Sequence, residues 1–225
     1  GYFNEEDYQN LMSLILDQDI RSIQKSVEAG TLNYENLTKW YLYRILKFES
    51  QKETYLNAIL SINPKAVEEA QKRDANKTLQ KHPIFGMPIL LKDNINTEGM
   101  PTTAGTVALK NNITDNAFLV DRIVEKGGII LGKANLSEWA YFICDGCPSG
   151  YSALGGQTLN PYGRILFDTG GSSSGSGVSV AANYAVAAVG SETSGSIISP
   201  SSQNSLVGLK PTIGKVSRTG IIHIS

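Results

Sequence analysis

Histidine is scarce in this 225-residue chain, and so are long apolar runs and any excess of one charge. The two histidines, His82 and His223, lie outside the clusters of polar residues, so the sequence favours neither a histidine metal site nor a hydrolase with a histidine base. No run of about 18 apolar residues occurs, which excludes a predicted membrane-spanning helix. The 20 basic and 21 acidic residues give a net charge of -1, which leaves no basic stripe for nucleic acid.

Cysteine is equally scarce, with only Cys144 and Cys147, which have C-x-x-C spacing. A zinc site would need a second pair of ligands, which the flanking residues lack, so we expect no metal there. The prediction is two ordinary reduced thiols near a loop. The first residues of the chain also lack the basic and apolar parts of a signal peptide, which favours a cytoplasmic location.

Glycine and serine, by contrast, are concentrated in two loops, GGSSSGSG at 170–177 and GSETSGSI at 190–197. Glycine lets a ligand approach the main chain closely, and serine hydroxyls can donate, accept or attack. A flexible linker would not contain the apolar run of residues 178–189, which predicts a buried helix and strand. A phosphate loop needs a lysine after its second glycine, and none occurs between Arg164 and Lys210. The two loops therefore predict a site built from backbone amides and hydroxyls.

A serine nucleophile needs a base that takes its proton. Residues 171–175 match the nucleophile-elbow pattern G-x-S-x-G, but its histidine partner would have to follow the serine, and only His223 does. Lysine is the remaining base, and Lys92 is the best placed because it ends an apolar strand. Desolvation there would lower the pKa of the lysine and suit it to act near neutral pH. A surface lysine at a strand end is the alternative.

The spacing of apolar residues predicts an α/β protein, in which helices and strands alternate along the chain. Expected helices cover residues 5–29, 34–50, 63–79, 115–126 and 135–142. Expected strands cover residues 55–62, 86–91, 129–131 and part of 206–217. We expect an N-terminal helical segment, 1–54, that packs on an α/β core, 55–225. The loop at 146–163 is long enough to suggest a functional role.

Five blocks of this sequence, in order, resemble the amidase signature family. They are LKDN at 91–94, GKANLSE at 132–138, GGSSSGS at 170–176, GSETSGSI at 190–197 and VGLKPT at 207–212. With YSALGGQ at 151–157, the Gly-x-Glu-Thr-x-Gly-Ser form is similar to the peptide-amidase-like branch. The resemblance covers residues 55–225. It implies a mixed β-sheet covered by helices and an amide hydrolase that needs neither a metal nor an organic cofactor.

The resemblance also implies a Ser-cisSer-Lys triad. Ser196 is the implied nucleophile, Ser172 the bridging serine on a non-proline cis peptide bond, and Lys92 the base. Gly171 and Ser173 are expected to contact the substrate. The implied oxyanion hole consists of the backbone amides of Thr193, Ser194, Gly195 and Ser196. Ser194 departs from the family pattern, which commonly has a second glycine at this position. The serine must therefore adopt whatever backbone dihedral angles the turn requires.

The implied substrate is a small-molecule or peptide carboxamide, with C-terminal peptide amides preferred. One alternative is a glutamine-dependent amidotransferase subunit that delivers ammonia to an acylated tRNA within a protein complex. Another is a catalytically incomplete fragment that acts as a binding module. Family members continue beyond the block at 217–222, so the chain resembles the N-terminal part of a longer protein. An incomplete core would expose apolar surface, for which a C-terminal half or self-association would compensate.

Overall fold

The computed structural model describes residues 2–76 and 82–223. Three N-terminal helices come first, and the following residues combine helices and strands as an α/β protein does. The helices are α1 (Glu5–Ile15), α2 (Ile20–Glu28), α3 (Tyr34–Glu49), α4 (Ala66–Ala75), α5 (Phe118–Glu125), α6 (Ser174–Ala181) and α7 (Ile198–Gln203). The strands are β1 (Ile59–Ile62), β2 (Pro88–Lys92), β3 (Ile129–Ala134), β4 (Tyr151–Ser152), β5 (Gly156–Gln157) and β6 (Ala187–Val189).

Four strands form the central sheet in the order β1-β3-β2-β6. Strands β3 and β6 are parallel to β2, whereas β1 is antiparallel to β3, so the sheet is mixed. The parallel pair β2 and β3 is connected through α5, the crossover that parallel neighbours need. Strand β2 lies inside the sheet because β3 and β6 pair with its two edges, and all of its residues are buried. The predicted fold class, a mixed sheet covered by helices, is confirmed.

Alternate side chains of β2 pack on opposite faces of the sheet, as the period of a strand requires. Leu90 belongs to an apolar cluster that includes Trp40 and the N-terminal helices. Leu91 belongs to a second cluster, which includes Val120 of α5. The first cluster contains residues from both sides of position 54, and the division of the chain at that position stays a prediction.

The N-terminal helical pattern is interrupted, so the prediction of one helix over 5–29 is wrong. Asp17 has a φ of 56°, and it lies between the end of α1 and the start of α2. Its backbone amide donates to Asn183 Oδ1 at 2.9 Å, and Asn183 Nδ2 donates back to the Asp17 carboxylate at 2.9 Å. The break is held by a residue distant in sequence, which periodicity cannot reveal.

Other element boundaries differ from the prediction for local reasons. Strand β1 begins only at Ile59, because Asn57 has a φ of 50°. Helix α4 begins after Lys65, whose amide is held by the Asn63 side chain at 2.9 Å. The predicted end of this helix, at residue 79, lies outside the described residues.

Two further differences lie nearer the site. Helix α5 begins after Ala117 rather than at Asp115, because the Ala117 amide donates to the carbonyl of Asn96 at 2.9 Å. The described segment 206–217 contains no strand, contrary to the prediction, since it pairs with no edge of the sheet and leaves apolar side chains such as Leu209 exposed.

Candidate active site

Lys92 ends the interior strand β2, and its side chain is fully buried. Its Nζ atom donates to Ser172 Oγ at 2.7 Å and to the carbonyl oxygen of Ser191 at 3.2 Å. Burial lowers the pKa of Lys92 to about 7, against the opposing effect of the Glu192 charge. An amine with this pKa is partly neutral near pH 7, and a neutral amine can accept a proton.

Ser172 lies two residues before the start of helix α6 and is fully buried. The Gly171–Ser172 peptide bond is cis, the conformation that the resemblance implies for this position. The carbonyl of Ser172 accepts a hydrogen bond from the Ser137 amide at 3.0 Å. Ser172 is thus tied to Lys92 through its side chain and to the segment after β3 through its backbone.

Ser196 lies in the turn between β6 and α7, beside the loop of Ser172. Its carbonyl accepts a hydrogen bond from the Ser173 amide at 3.2 Å. The Ser173 hydroxyl donates to the Ser191 carbonyl at 3.1 Å, so this residue links the two serine loops. No hydrogen bond among the described residues joins the hydroxyls of Ser172 and Ser196. A direct contact of Ser173 with substrate stays a prediction.

Glu192 supports the turn that carries Ser196, a role that the sequence did not suggest. Its Oε2 atom accepts from the backbone amides of Ile197, at 2.7 Å, and Ile198, at 3.0 Å. Burial alone would raise the pKa of Glu192, but hydrogen bonds from these amides and from that of Gly195 outweigh it and lower the pKa. The carboxylate therefore remains ionised and holds the start of α7.

The predicted oxyanion-hole residues occupy this same turn. Thr193 and Ser194 are exposed, and Gly195 has a φ of 81°, while Ser194 avoids the left-handed region. The serine that replaces a common glycine therefore carries no strain of that kind. The Gly195 amide is directed to Glu192, so a substrate oxygen would compete with that carboxylate for it. The role of these amides as oxyanion donors stays a prediction.

The sequence also did not predict a buried ion pair next to Lys92. Lys133 Nζ lies 3.0 Å from Asp93 Oδ1, and both side chains are almost fully buried. The Asp93 carboxylate also accepts from the amide and hydroxyl of Thr103, and Lys133 donates to Thr102 Oγ1 at 3.0 Å. These contacts join the ends of β2 and β3 to the loop at 101–106, which fixes the backbone immediately after Lys92.

The segment after β3 is not the regular helix predicted for 135–142. Residues Glu138–Tyr141 instead form a left-handed turn, in which Trp139, Ala140 and Tyr141 have φ values of 47°, 47° and 71°. The turn is held from outside, since the Trp139 amide donates to the Ala104 carbonyl at 3.1 Å. Tertiary contacts therefore override the helical pattern of this segment.

Gly171, which is predicted to contact the substrate, faces this turn closely. A side chain at position 171 would collide with the Tyr141 hydroxyl and with Ser137 Oγ. The space beside the cis peptide bond is thus occupied by the Tyr141 hydroxyl. A substrate that approaches Gly171 would meet Tyr141.

Cys144 and Cys147 form a disulfide, so the prediction of two reduced thiols is wrong. Their Cα atoms are 5.6 Å apart, a usual separation for a disulfide. The intervening Asp145-Gly146 makes the tight turn that brings them together, with a φ of 78° at Gly146. Spacing alone could not separate a disulfide from free thiols.

A cavity of about 860 Å³ lies beside the serine loops. It is lined by Ser173, Ser191 and Glu192 on one side and by much of the segment 206–223 on the other. That segment leaves Val207, Leu209 and Ile213 exposed.

Among the described residues, no helix has the length and apolar character needed to cross a membrane.

Comparisons with known proteins place the chain in one family. The model of the Amidase family matches residues 37–225. A probable amidase of Arabidopsis thaliana is 41% identical over 217 residues, which are 94% of this chain and 41% of that protein. The native peptide amidase of Stenotrophomonas maltophilia has a TM-score of 0.89 and 48% identity, covering 93% of this chain and 43% of its own. A glutamyl-tRNA(Gln) amidotransferase subunit of Lawsonia intracellularis is 40% identical over 190 residues, 84% of this chain and 37% of that protein. The chain thus spans less than half the length of these relatives.

Proposed function

The chain belongs to the Amidase family, and from this premise we propose that its complete protein hydrolyses carboxamides through a serine acyl-enzyme. The observation that carries the proposal is the 2.7 Å contact between Ser172 Oγ and a fully buried lysine whose pKa is lowered to about 7. A fully buried lysine in direct contact with Ser172 can act as the base for this serine.

In the proposed first step, neutral Lys92 accepts the proton of Ser172 while Ser172 accepts that of Ser196. The Ser196 oxygen attacks the amide carbonyl carbon, and a tetrahedral oxyanion forms. The oxyanion is stabilised by backbone amides of the turn at 193–196; removal of one such donor typically costs about 10²–10³ in rate.

Collapse of the tetrahedral species breaks the carbon–nitrogen bond. The protons return through Ser172 to the leaving nitrogen, and ammonia departs from an acyl ester on Ser196. A water molecule, deprotonated by the same route, then attacks the ester carbonyl carbon. The bond between that carbon and Ser196 Oγ breaks, the proton returns through Ser172 to Ser196, and the carboxylate departs. Lys92 is neutral again at the end of the cycle, so no cofactor is consumed.

Peptides with a C-terminal amide are the proposed substrate class. The similarity to a peptide amidase supports this choice. The Glu192-Thr193 pair supports it too, because this form of the motif resembles the peptide-amidase-like branch.

The amidotransferase subunit is the second candidate, favoured by the 40% identity to such a protein. The same triad would release ammonia from glutamine, but the ammonia would pass to an acylated tRNA in a complex that requires ATP. Ammonia release from a peptide amide without ATP or tRNA separates the two candidates. A binding module, the third possibility, would release none.

The test is ammonia release by the complete protein from a panel of carboxamides, with wild type, Ser196→Ala and Ser202→Ala compared. Ser202 is an exposed serine of the neighbouring helix α7 and serves as the matched control. We expect Ser196→Ala to lose at least about 10⁴-fold in kcat, as loss of a nucleophile does, and to unfold at the wild-type temperature. Ser202→Ala should keep full activity.

A fluorophosphonate probe gives an independent readout, since it labels an activated serine without any need to know the substrate. Labelling of wild type and Ser202→Ala, but not of Ser196→Ala, supports the assignment. Full activity in Ser196→Ala would show that another residue is the nucleophile.

A further inference from the structure

Tyr141 presents an unused hydroxyl beside the catalytic loop. The hydroxyl lies against Gly171, at the cis peptide bond that precedes Ser172. None of the hydrogen bonds among the described residues uses it. Tyr141 as a whole is partly buried, in contrast to the exposed residues that follow it. A phenolic hydroxyl in this position can donate a hydrogen bond to a substrate carbonyl.

The backbone that presents Tyr141 is strained. Three consecutive residues without glycine, Trp139 to Tyr141, have positive φ values. Such residues persist where the surrounding structure over-determines them, often at ligand sites. Here the turn is held by the loop at 101–106 and by the hydrogen bond from the Ala153 amide to Glu138 Oε2 at 2.8 Å.

The loop that contains Tyr141 is closed on Ser137. The Ser137 amide donates to the Ser172 carbonyl, and the Ser137 hydroxyl accepts from the Gly150 amide at 2.8 Å. Between these anchors the loop tip has little packing, since Phe142 and Ile143 are 73% and 64% exposed. The disulfide between Cys144 and Cys147 is the covalent restraint on the conformation of this loop tip.

The disulfide is connected directly to Tyr141. The Cys144 amide donates to the Tyr141 carbonyl at 3.2 Å, so the ring closed by Cys144 and Cys147 packs onto the turn that carries the hydroxyl. We propose that Tyr141 is a substrate-positioning residue for peptide amides, and that the Cys144–Cys147 disulfide holds its hydroxyl beside Gly171 to bind a backbone carbonyl of the acyl part. This inference rests on the proposed amide hydrolysis and specifies which part of the substrate is recognised.

The proposal predicts a loss that depends on the substrate. The probes are an N-acetylated dipeptide amide, which has backbone carbonyls for Tyr141, and propionamide, which has none beyond the reacting group. In the complete protein, Tyr141→Phe should lower kcat/KM for the peptide amide about 10-fold, mainly through KM, the effect of one hydrogen bond. The value for propionamide should stay within about 2-fold, as one expects for a group that makes no contact with it. Tyr2→Phe removes a fully exposed hydroxyl near the N-terminus and is the control.

Reduction tests the disulfide. A dithiol such as dithiothreitol supplies two electrons and two protons, which convert the disulfide to two thiols while the reagent becomes a cyclic disulfide. We expect reduction to lower kcat/KM for the peptide amide selectively, as Tyr141→Phe does. Cys144→Ser should show the same loss before treatment and no further change on reduction, which excludes effects on other cysteines.

Each outcome bears on a defined claim. Equal losses for both substrates in Tyr141→Phe, or no loss for either, would overturn the assignment of Tyr141 while leaving amide hydrolysis intact. A selective loss in Tyr141→Phe without any effect of reduction would overturn the role of the disulfide. Absence of ammonia from wild type with both probes would refute the proposed function, and the inference with it.

Discussion

Replacement of Lys92 by methionine isolates the energetic consequence of burying this amine. Methionine has a similar length and no charge, so Lys92→Met should be inactive but folded. Because the side chain is fully buried and its pKa falls from 10.5 to about 7 on folding, its protonation differs between the folded and unfolded chains over that pH range. The unfolded chain keeps a proton that the folded chain has lost, so a rise in pH favours the folded wild type.

The magnitude follows from the two pKa values. Each pH unit in that window changes the free energy of unfolding of the wild type by about 1.4 kcal/mol relative to the variant. Between pH 7 and pH 10 the wild type should thus gain about 4 kcal/mol on Lys92→Met. Below about pH 7 both states are protonated at Lys92, and the difference becomes constant. Loss of the hydrogen bond to Ser172 adds a term of about 1–3 kcal/mol that does not vary with pH.

Urea unfolding at pH 6, 7, 8, 9 and 10, by circular dichroism, measures this difference directly. Lys72→Met, which removes an exposed lysine, is the matched control and should follow the wild type at each pH. Other titrating groups cancel when the variant and wild type are subtracted. If the difference between Lys92→Met and wild type is the same at every pH, Lys92 is charged in the folded protein, and the proposed base is wrong.

Two further predictions follow from the charges around Lys92. Since only the neutral amine accepts a proton, kcat/KM should rise with pH and level off above about 7, and a flat profile from pH 5 to 9 would contradict the mechanism. Lys133→Met should destabilise the protein by about 3–5 kcal/mol in urea unfolding, because it leaves Asp93 buried without its partner. The double variant with Asp93→Asn should recover part of that loss, and a double variant as unstable as the sum of the two single variants would argue against coupling.

Much of the fold could be predicted because it depends on local pattern. The apolar strand that ends at Lys92 is buried on both faces, as a continuous apolar run suggests. The helices α3 and α6 follow the expected spacing. The break at Asp17 and the left-handed turn around Tyr141 could not be found this way, because each is held by residues distant in sequence.

Site residues that belong to a sequence motif could be predicted, whereas pairings that depend on the three-dimensional arrangement could not. Lys92 and Ser172 were identified by sequence blocks, and they lie in contact. Lys133 lies within one of those blocks, but its pairing with Asp93 depends on how β2 and β3 align, and their register shifts after Ile89. The state of the two cysteines depends on the conformation of the loop tip, which spacing does not determine.

The double attachment at Ser137 has a consequence for how this scaffold can change. Its amide holds the Ser172 carbonyl and its hydroxyl holds Gly150, so the two ends of the intervening loop meet at one residue. A loop whose ends are fixed close together accepts new lengths and sequences at little entropic cost. Residues 138–149 can therefore change while Lys92 and Ser172 stay in place, which makes this loop the natural place to randomise when selecting for altered specificity in the proposed reaction.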